Sequence, residues 1–190
     1  MPLPRTVCWI PLWNAAQTSV GIEHLRLSDG HADGVVIAID EEAGPFRLAY
    51  RLDWDERWRL REAALSLIDG EGESLRSMRL KTDGEGRWQD GEGRTLADLD
   101  GCLDIDIWPT PFTNSFPIRR VSLANGERLE FRMAWVDGTT LTVRAQAQAY
   151  TRLDDRLYRF ESLDGSGFTA DLPVDEDGLV IDYPGLFRRV

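Results

Sequence analysis

Two aspartates, Asp104 and Asp106, alternate with Ile105 and Ile107 in a short segment of the chain. In a β-strand, side chains two positions apart point to the same face, so the two carboxylates would lie side by side. At that spacing they could share a proton, hold a metal ion or accept hydrogen bonds from sugar hydroxyls. The alternative is a strand whose polar face simply lies in water. The aspartates are therefore the first candidate site, with binding and acid–base catalysis both open.

A proline-rich segment follows directly, with Pro109, Pro111 and Pro117 around Thr113 and Asn114. Proline donates no hydrogen bond to a β-ladder, which excludes a central strand and predicts a stiff loop. A stiff loop with polar side chains beside two aspartates is suited to recognition, because fixed geometry lowers the entropic cost of binding. The prolines would equally serve to protect a sheet edge from further pairing.

Arg119 and Arg120 come at the end of this segment. Two carboxylates alone on one face repel each other, so we expect one arginine to pair with Asp104 or Asp106. Because the aspartates share a face, we also expect similar surroundings, in which nearby arginines lower the pKa of both carboxyls. Catalysis would instead need one acid that stays protonated near neutral pH. Two ionised acceptors favour binding over catalysis.

The elements that position these residues are indicated by alternation of apolar and polar side chains with period two, clearest over residues 46–52, 128–135 and 141–148. Asp-Gly and Asn-Gly pairs separate the runs and supply the positive φ that tight hairpins need. These pairs lie at 29–30, 69–70, 83–84, 90–91, 125–126, 137–138, 164–165 and 177–178. About a dozen strands joined by hairpins are expected.

Two segments depart from simple alternation. Residues 34–39 form an apolar run that predicts a strand buried on both faces. Near Ala63 and Ala64 the alternation changes phase, which a β-bulge would explain; a helix over Glu62–Ile68 is the competing interpretation.

One-sided alternation over many strands leaves a single apolar surface that must be covered. We therefore expect an all-β fold with little helix, built on one strongly curved antiparallel sheet, either a roll or an open barrel. No composition break marks a linker, so one domain over residues 1–190 is expected.

Composition limits the function further. The 190 residues carry 22 Lys+Arg against 33 Asp+Glu, a net charge of −11, which disfavours nucleic acid as a partner. The N-terminus lacks a signal-peptide pattern, and no apolar run approaches the ~20 residues that span a bilayer. We expect a cytoplasmic protein without a transmembrane segment. No metal-ligand spacing and no nucleotide-binding loop is present, so neither a metal nor a cofactor is expected.

A set of motifs extends along the second half of the chain. They are Asp104-Ile-Asp106, Thr110-Pro-Phe-Thr-Asn-Ser-Phe-Pro-Ile-Arg-Arg120, Tyr150-Thr151, Tyr158-Arg-Phe-Glu161 and Val174-Asp-Glu-Asp-Gly-Leu-Val-Ile-Asp-Tyr-Pro-Gly-Leu-Phe187. With Glu23, Arg47, Tyr50 and Trp58, they make the chain resemble the bacterial putative glycolipid-binding family over nearly its whole length. The resemblance implies a spiral β-roll, similar to the carriers that move lipoproteins across the bacterial envelope. It also implies glycolipid binding, although fold alone does not fix function.

These observations lead to three hypotheses. The first is a non-enzymatic protein that binds a glycolipid or another amphipathic ligand, whose acyl part enters the apolar side of the roll. The ligand-binding residues expected are Asp104, Asp106, Thr113, Asn114, Arg119, Tyr150 and Glu161. The second is an enzyme that acts on a glycoconjugate, with Asp104, Asp106 or Glu161 as acid and base. The third is a protein-interaction scaffold. No sequence signal indicates the oligomeric state.

Overall fold

The computed structural model describes residues 4–13, 21–68 and 75–190. In these ranges the chain is mostly β-strand. The strands are β1 (Arg5–Pro11), β2 (Gly21–Ser28), β3 (His31–Asp40), β4 (Gly44–Trp54), β5 (Leu60–Ile68), β6 (Leu75–Thr82), β7 (Trp88–Asp90), β8 (Asp104–Trp108), β9 (Arg128–Asp137), β10 (Thr142–Asp154), β11 (Leu157–Ser162), β12 (Thr169–Pro173), β13 (Asp182–Tyr183) and β14 (Phe187–Arg189). A helix, α1, spans Ser115–Arg120, and 3₁₀ turns span Ala97–Leu99 and Phe112–Asn114.

The strands form two sheets. Nine strands follow the order β13-β14-β1-β2-β3-β4-β5-β6-β7, and five follow the order β12-β11-β10-β9-β8. One sheet curls strongly into a half-barrel. Antiparallel pairing dominates, whereas β8 runs parallel to β9. The prediction of an all-β fold with strong curvature and little helix is confirmed; the strands are divided between two sheets where the sequence indicated one.

Strand β4 shows how the pattern produces the sheet. Phe46, Leu48, Tyr50 and Leu52 are at most 5% exposed, whereas the arginines between them face solvent. Burial of one face in this way removes apolar surface from water and fixes the register of the strand. The predicted turn at Asp29-Gly30 joins β2 to β3. The predicted turn at 69–70 lies outside the described residues.

Strand β3 departs from its prediction. Val36 and Ala38 are buried, but Ile37 is 52% exposed and Ile39 also faces solvent. The expectation that residues 34–39 are buried on both faces is therefore wrong. Ile37 lies opposite Ile22 of β2 and beside Arg47 of β4, so the two isoleucines form a small exposed apolar patch on an otherwise charged outer face.

The phase change near Ala63 reflects a β-bulge. Asp53 pairs with Glu62 and Trp54 pairs with Leu60, which leaves Arg61 as the additional residue in β5. The bulge interpretation is confirmed, slightly earlier in the chain than expected, and the competing helix over Glu62–Ile68 is not formed.

The segment predicted to be a stiff loop instead forms a 3₁₀ turn followed by α1. Pro117 is tolerated because it lies in the first turn of the helix, where backbone N–H groups have no partner within the helix. Phe112 and Phe116 are fully buried and contact the ring of Trp54 from the nine-stranded sheet. This packing draws Thr113 and Asn114 into the interior.

Candidate functional site

A cavity of about 170 Å³ lies between the five-stranded sheet and the β13–β14 hairpin. Its wall includes the end of β8 and the inner face of β9, β10 and β11. The turn that joins β11 to β12 and the segment after β8 complete the wall. The cavity therefore brings together residues from distant parts of the sequence.

Asp106 is the central polar group of this cavity. Thr113 Oγ1 donates to Asp106 Oδ1 (3.1 Å), and Gln148 Nε2 donates to Asp106 Oδ2 (2.5 Å). Protein surrounds the carboxyl, and this burial raises its pKa, while the two hydrogen bonds oppose the shift. Gln148 is fully buried, and its Oε1 has no hydrogen-bond partner. The cavity therefore exposes the Asp106 carboxyl, while the unpartnered Gln148 oxygen lies buried behind it.

Asn114 also lines this cavity, and its side chain is held by the hydroxyl of Tyr150. Asn114 Nδ2 donates to Tyr150 Oη (2.7 Å), and both residues are buried. Asn114 lines the cavity, whereas Tyr150 lies behind the wall. Burial is the main cause of the strongly raised pKa of Tyr150, and the negative charge of Asp106 adds to it. Tyr150 therefore remains a neutral phenol that positions Asn114.

Aromatic rings line the same cavity, from the five-stranded sheet beside Asp106 and from the β11–β12 turn and the β13–β14 hairpin. The lining rings are those of Trp108, Trp135, Phe160, Phe168, Tyr183 and Phe187. Phe160 contacts Phe168 and Tyr183, with ring centroids about 6 Å apart. Aromatic rings of this kind provide flat apolar faces next to the polar groups.

The turn between β11 and β12 carries a second carboxylate into the lining. Hydrogen bonds from the side chain and backbone N–H of Ser166, and from Ser162, lower the pKa of Asp164 to about 2. Asp164 is exposed and therefore ionised at neutral pH. Phe168, at the end of the same turn, is 37% exposed and forms part of the rim.

Asp104 has a different environment although it lies two residues from Asp106. Arg120 Nε and Nη2 donate to its two carboxylate oxygens at 2.9 and 2.6 Å. Asp104 is fully buried and does not line the cavity. The prediction that an arginine pairs with one aspartate is confirmed. The prediction that arginines lower both pKa values is wrong, because burial raises the pKa of both carboxyls.

Two further predicted residues lie away from the cavity. The guanidinium of Arg119 stacks on the indole ring of Trp58, 5.0 Å from the centroid, on another part of the surface. Glu161 Oε2 accepts a hydrogen bond from Arg128 Nε (2.8 Å). Of the seven predicted residues, the structure thus brings together Asp106, Thr113, Asn114 and Tyr150, and it places Asp104, Arg119 and Glu161 elsewhere.

A second buried polar network connects the sheets. Thr110 Oγ1 donates to Glu23 Oε1 (2.6 Å), and the Tyr50 hydroxyl donates to the same oxygen. Burial raises the pKa of Glu23 to about 7, and Glu23 Oε2 has no hydrogen-bond partner. Tyr50 fits because Gly34 has no side chain: a Cβ there would lie 2.1 Å from Tyr50 Cζ. Thr110 also lines the cavity, so the network reaches its wall.

Comparison with known proteins gives a consistent picture. The family described as "Putative glycolipid-binding" matches residues 11–189. The chain belongs to this family. The crystal structure of a DUF1089 family protein from Pseudomonas aeruginosa is 51% identical, with 94% of this chain and 97% of that chain covered and a TM-score of 0.87. No curated protein matches the chain.

Sequence reasoning missed the residues of β10 and β11 that line the cavity. Gln146 and Gln148 stand at the polar positions of an alternating strand, and Phe160 and Ser162 follow two residues apart on the next strand. The sequence held no distinguishing signal for these residues, because a polar strand face has the same pattern whether it meets solvent or an internal cavity.

The described ranges contain no group of three or more His, Cys, Asp or Glu side chains placed to hold a metal ion. Within the same ranges, no helix has the length and apolar character needed to cross a bilayer.

Proposed function

We propose that this protein binds a glycolipid or a similar amphipathic ligand, with a sugar ring of the head group in the Asp106 cavity. The observation that carries the proposal is the combination of buried polar groups and aromatic rings in the lining of a single cavity. Aromatic faces stack on sugar rings, and carboxyl and amide groups form hydrogen bonds with sugar hydroxyls. The family description supports a ligand of this class.

The size of the cavity limits what it holds. A cavity of about 150 Å³ accommodates one six-membered ring such as benzene. At about 170 Å³ and open to solvent on one side, the cavity would hold part of one sugar ring, with its remaining hydroxyls at the opening, and not an acyl chain as well. We therefore place the acyl chain at the rim, where Phe168 is exposed, and not in the interior of the roll. Binding there would leave the apolar core between the sheets intact.

A calorimetric titration tests this proposal. Octyl β-glucoside, octyl β-galactoside and octyl α-mannoside would be titrated separately, below their micelle-forming concentrations. We expect saturable binding of at least one glycoside, weakened about ten-fold by Asp106→Asn, because a hydrogen bond to a charged group contributes more than one to a neutral group.

Glu161→Gln is the matched control, since it removes a carboxylate that lies outside the cavity. The control should bind as the wild type does. Absence of saturable binding for all three glycosides, or equal weakening in both variants, would contradict the proposal.

One observation favours a second candidate, an enzyme that acts on a glycoconjugate. Asp106 and Asp164 line one cavity, and their pKa values are shifted in opposite directions. Carboxyls with separated pKa values are the usual acid and base of glycoside hydrolysis. Nitrophenol release from nitrophenyl glycosides distinguishes the candidates: turnover that disappears in Asp106→Asn and in Asp164→Asn indicates an enzyme, and binding without turnover indicates a carrier.

Cytoplasmic location, a single domain over residues 1–190 and the absence of a nucleic-acid partner remain predictions.

A further inference from the structure

We infer that the Asp106 cavity selects an uncharged sugar ring and rejects head groups that carry a phosphate, sulfate or carboxylate. This inference deepens the proposed function and rests on it. The charges that line the cavity and the hydrogen-bonding character of its polar wall both support it.

The charged groups that line the cavity are carboxyls. Asp106 and Asp164 contribute to the wall, and no lysine, arginine or histidine of the described residues does so. The residues outside the described ranges include none of these three types either, so the sequence leaves no basic side chain there to balance the carboxyls. An anionic head group would meet negative charge without a cation in the wall.

Among the described residues, Arg144 lies beside the cavity and contacts two of its lining side chains. Arg144 stacks on Trp135, 4.2 Å from the ring centroid, and its Nη2 donates to Gln146 Oε1 (3.2 Å). Its guanidinium is thus engaged by two side chains, and Arg144 is itself exposed and does not line the cavity. A single exposed arginine against two carboxyls leaves an excess of negative charge.

The polar wall is also rich in acceptors. The Asp106 oxygens accept from Thr113 and Gln148 and keep further acceptor capacity, and the ionised carboxylate of Asp164 is an acceptor only. Sugar hydroxyls donate as well as accept, whereas phosphate, sulfate and carboxylate groups mainly accept at neutral pH. Ring hydroxyls therefore match this wall, and anionic groups would place acceptors against acceptors.

The expected discrimination is large enough to measure. Two like charges about 5 Å apart, at an effective dielectric constant of about 20, weaken binding by roughly a few hundred-fold. Movement of the ligand away from the carboxylates and screening reduce this value, so we expect a preference of about ten-fold or more.

The experiment compares ligands that differ only in charge. Octyl β-glucoside is matched with octyl β-glucuronide, and octyl β-galactoside with octyl β-galacturonide, in calorimetric titrations at low salt. The wild type should prefer the neutral member of the pair that it binds. Asp164→Asn should narrow the preference, and the double variant with Asp106→Asn should narrow it further. Added salt should act in the same direction through screening.

Control measurements keep the outcomes distinct. Glu161→Gln should leave the preference unchanged, and circular dichroism of each variant confirms the fold; Asp164 is exposed in a turn, so its replacement by asparagine is structurally mild. Equal or tighter binding of the uronides by the wild type overturns the inference and leaves the proposed function standing. A preference that neither Asp variant changes also overturns it. Failure of every neutral glycoside to bind overturns both.

Discussion

Asp104 and Asp106 lie on one strand, two residues apart, and are both enclosed by protein, yet their surroundings are opposite in kind. Asp104 is held by both arms of Arg120, and its charge is neutralised inside the fold. Asp106 is held by an amide and a hydroxyl, and it faces a cavity.

The difference shows how a carboxyl becomes available to a ligand. A buried carboxylate paired with an arginine has its strongest partner already, and separation of the pair leaves an uncompensated charge. Neutral donors satisfy part of the hydrogen-bonding capacity of Asp106 and leave its charge unbalanced. The Arg120 pair is therefore structural, whereas the Asp106 group retains capacity for binding.

The largest expected effect comes from breaking the buried pair of Asp104 and Arg120. Arg120→Ala should lower the free energy of unfolding by about 3–5 kcal/mol at neutral pH, because Asp104 remains buried without a partner. Arg119→Ala, which removes only the contact with Trp58, should cost about 1 kcal/mol. Urea denaturation measures both.

The pH dependence of the Arg120 variant provides a second check. Removal of Arg120 raises the pKa of Asp104 further, so the folded variant favours the protonated carboxyl and the penalty should shrink as pH falls towards about 5. Equal costs for the two arginine variants, or a penalty independent of pH, would show that Arg120 does not neutralise Asp104.

The next effect concerns Glu23, a buried carboxyl that pairs with no arginine in the described residues and does not line the cavity. Its pKa is about 7 in the folded state against an ordinary 4.5. The folded state keeps the proton through this range while the unfolded state releases it, so stability falls as pH rises from about 4.5 to about 7. The loss is roughly 3 kcal/mol.

Glu23→Gln cannot titrate and should lack this part of the pH dependence. Denaturation across the range, with Glu161→Gln as the control at a half-buried carboxylate paired with Arg128, measures the difference in slope. Parallel curves for wild type and Glu23→Gln would indicate that Glu23 titrates normally.

The smallest expected effect concerns the rim of the Asp106 cavity. Phe168→Ala should weaken octyl glycoside binding about five-fold, because the chain loses apolar contact at the rim worth roughly 1 kcal/mol. Methyl glycosides, which lack the chain, should be affected much less. Leu129 is similarly exposed, at 39% against 37%, and lies outside the cavity lining, so Leu129→Ala is the control. Equal losses for octyl and methyl glycosides would place the acyl chain elsewhere.

Sequence reasoning succeeded where burial of one face decides the structure. Strand β4 has apolar and charged residues in strict alternation, so its inner face is evident from the sequence alone. The same rule misled at β10, because polar positions were taken to face water. Gln146 and Gln148 face an internal cavity, and a cavity that binds polar groups needs the same residue types as a solvated surface.

The different surroundings of Asp104 and Asp106 also could not be predicted. They depend on α1 and the preceding 3₁₀ turn, which carry Arg120 and Thr113 to the two carboxyls. The helix was not predicted because a proline in the first helical turn, such as Pro117, gives the same local signal as a proline in a loop. The parallel pairing of β8 with β9 has no local signal, because parallel and antiparallel strands share a period of two.

The close approach of Gly34 and Tyr50 has an evolutionary consequence. Any residue with a Cβ at position 34 collides with the tyrosine ring, and any smaller side chain at position 50 removes the hydroxyl that holds Glu23. Neither position can change alone without disturbing the network between the sheets. We expect homologous sequences to vary at 34 and 50 together or not at all, with residue 23 losing its acidic character in the lineages where the tyrosine is lost.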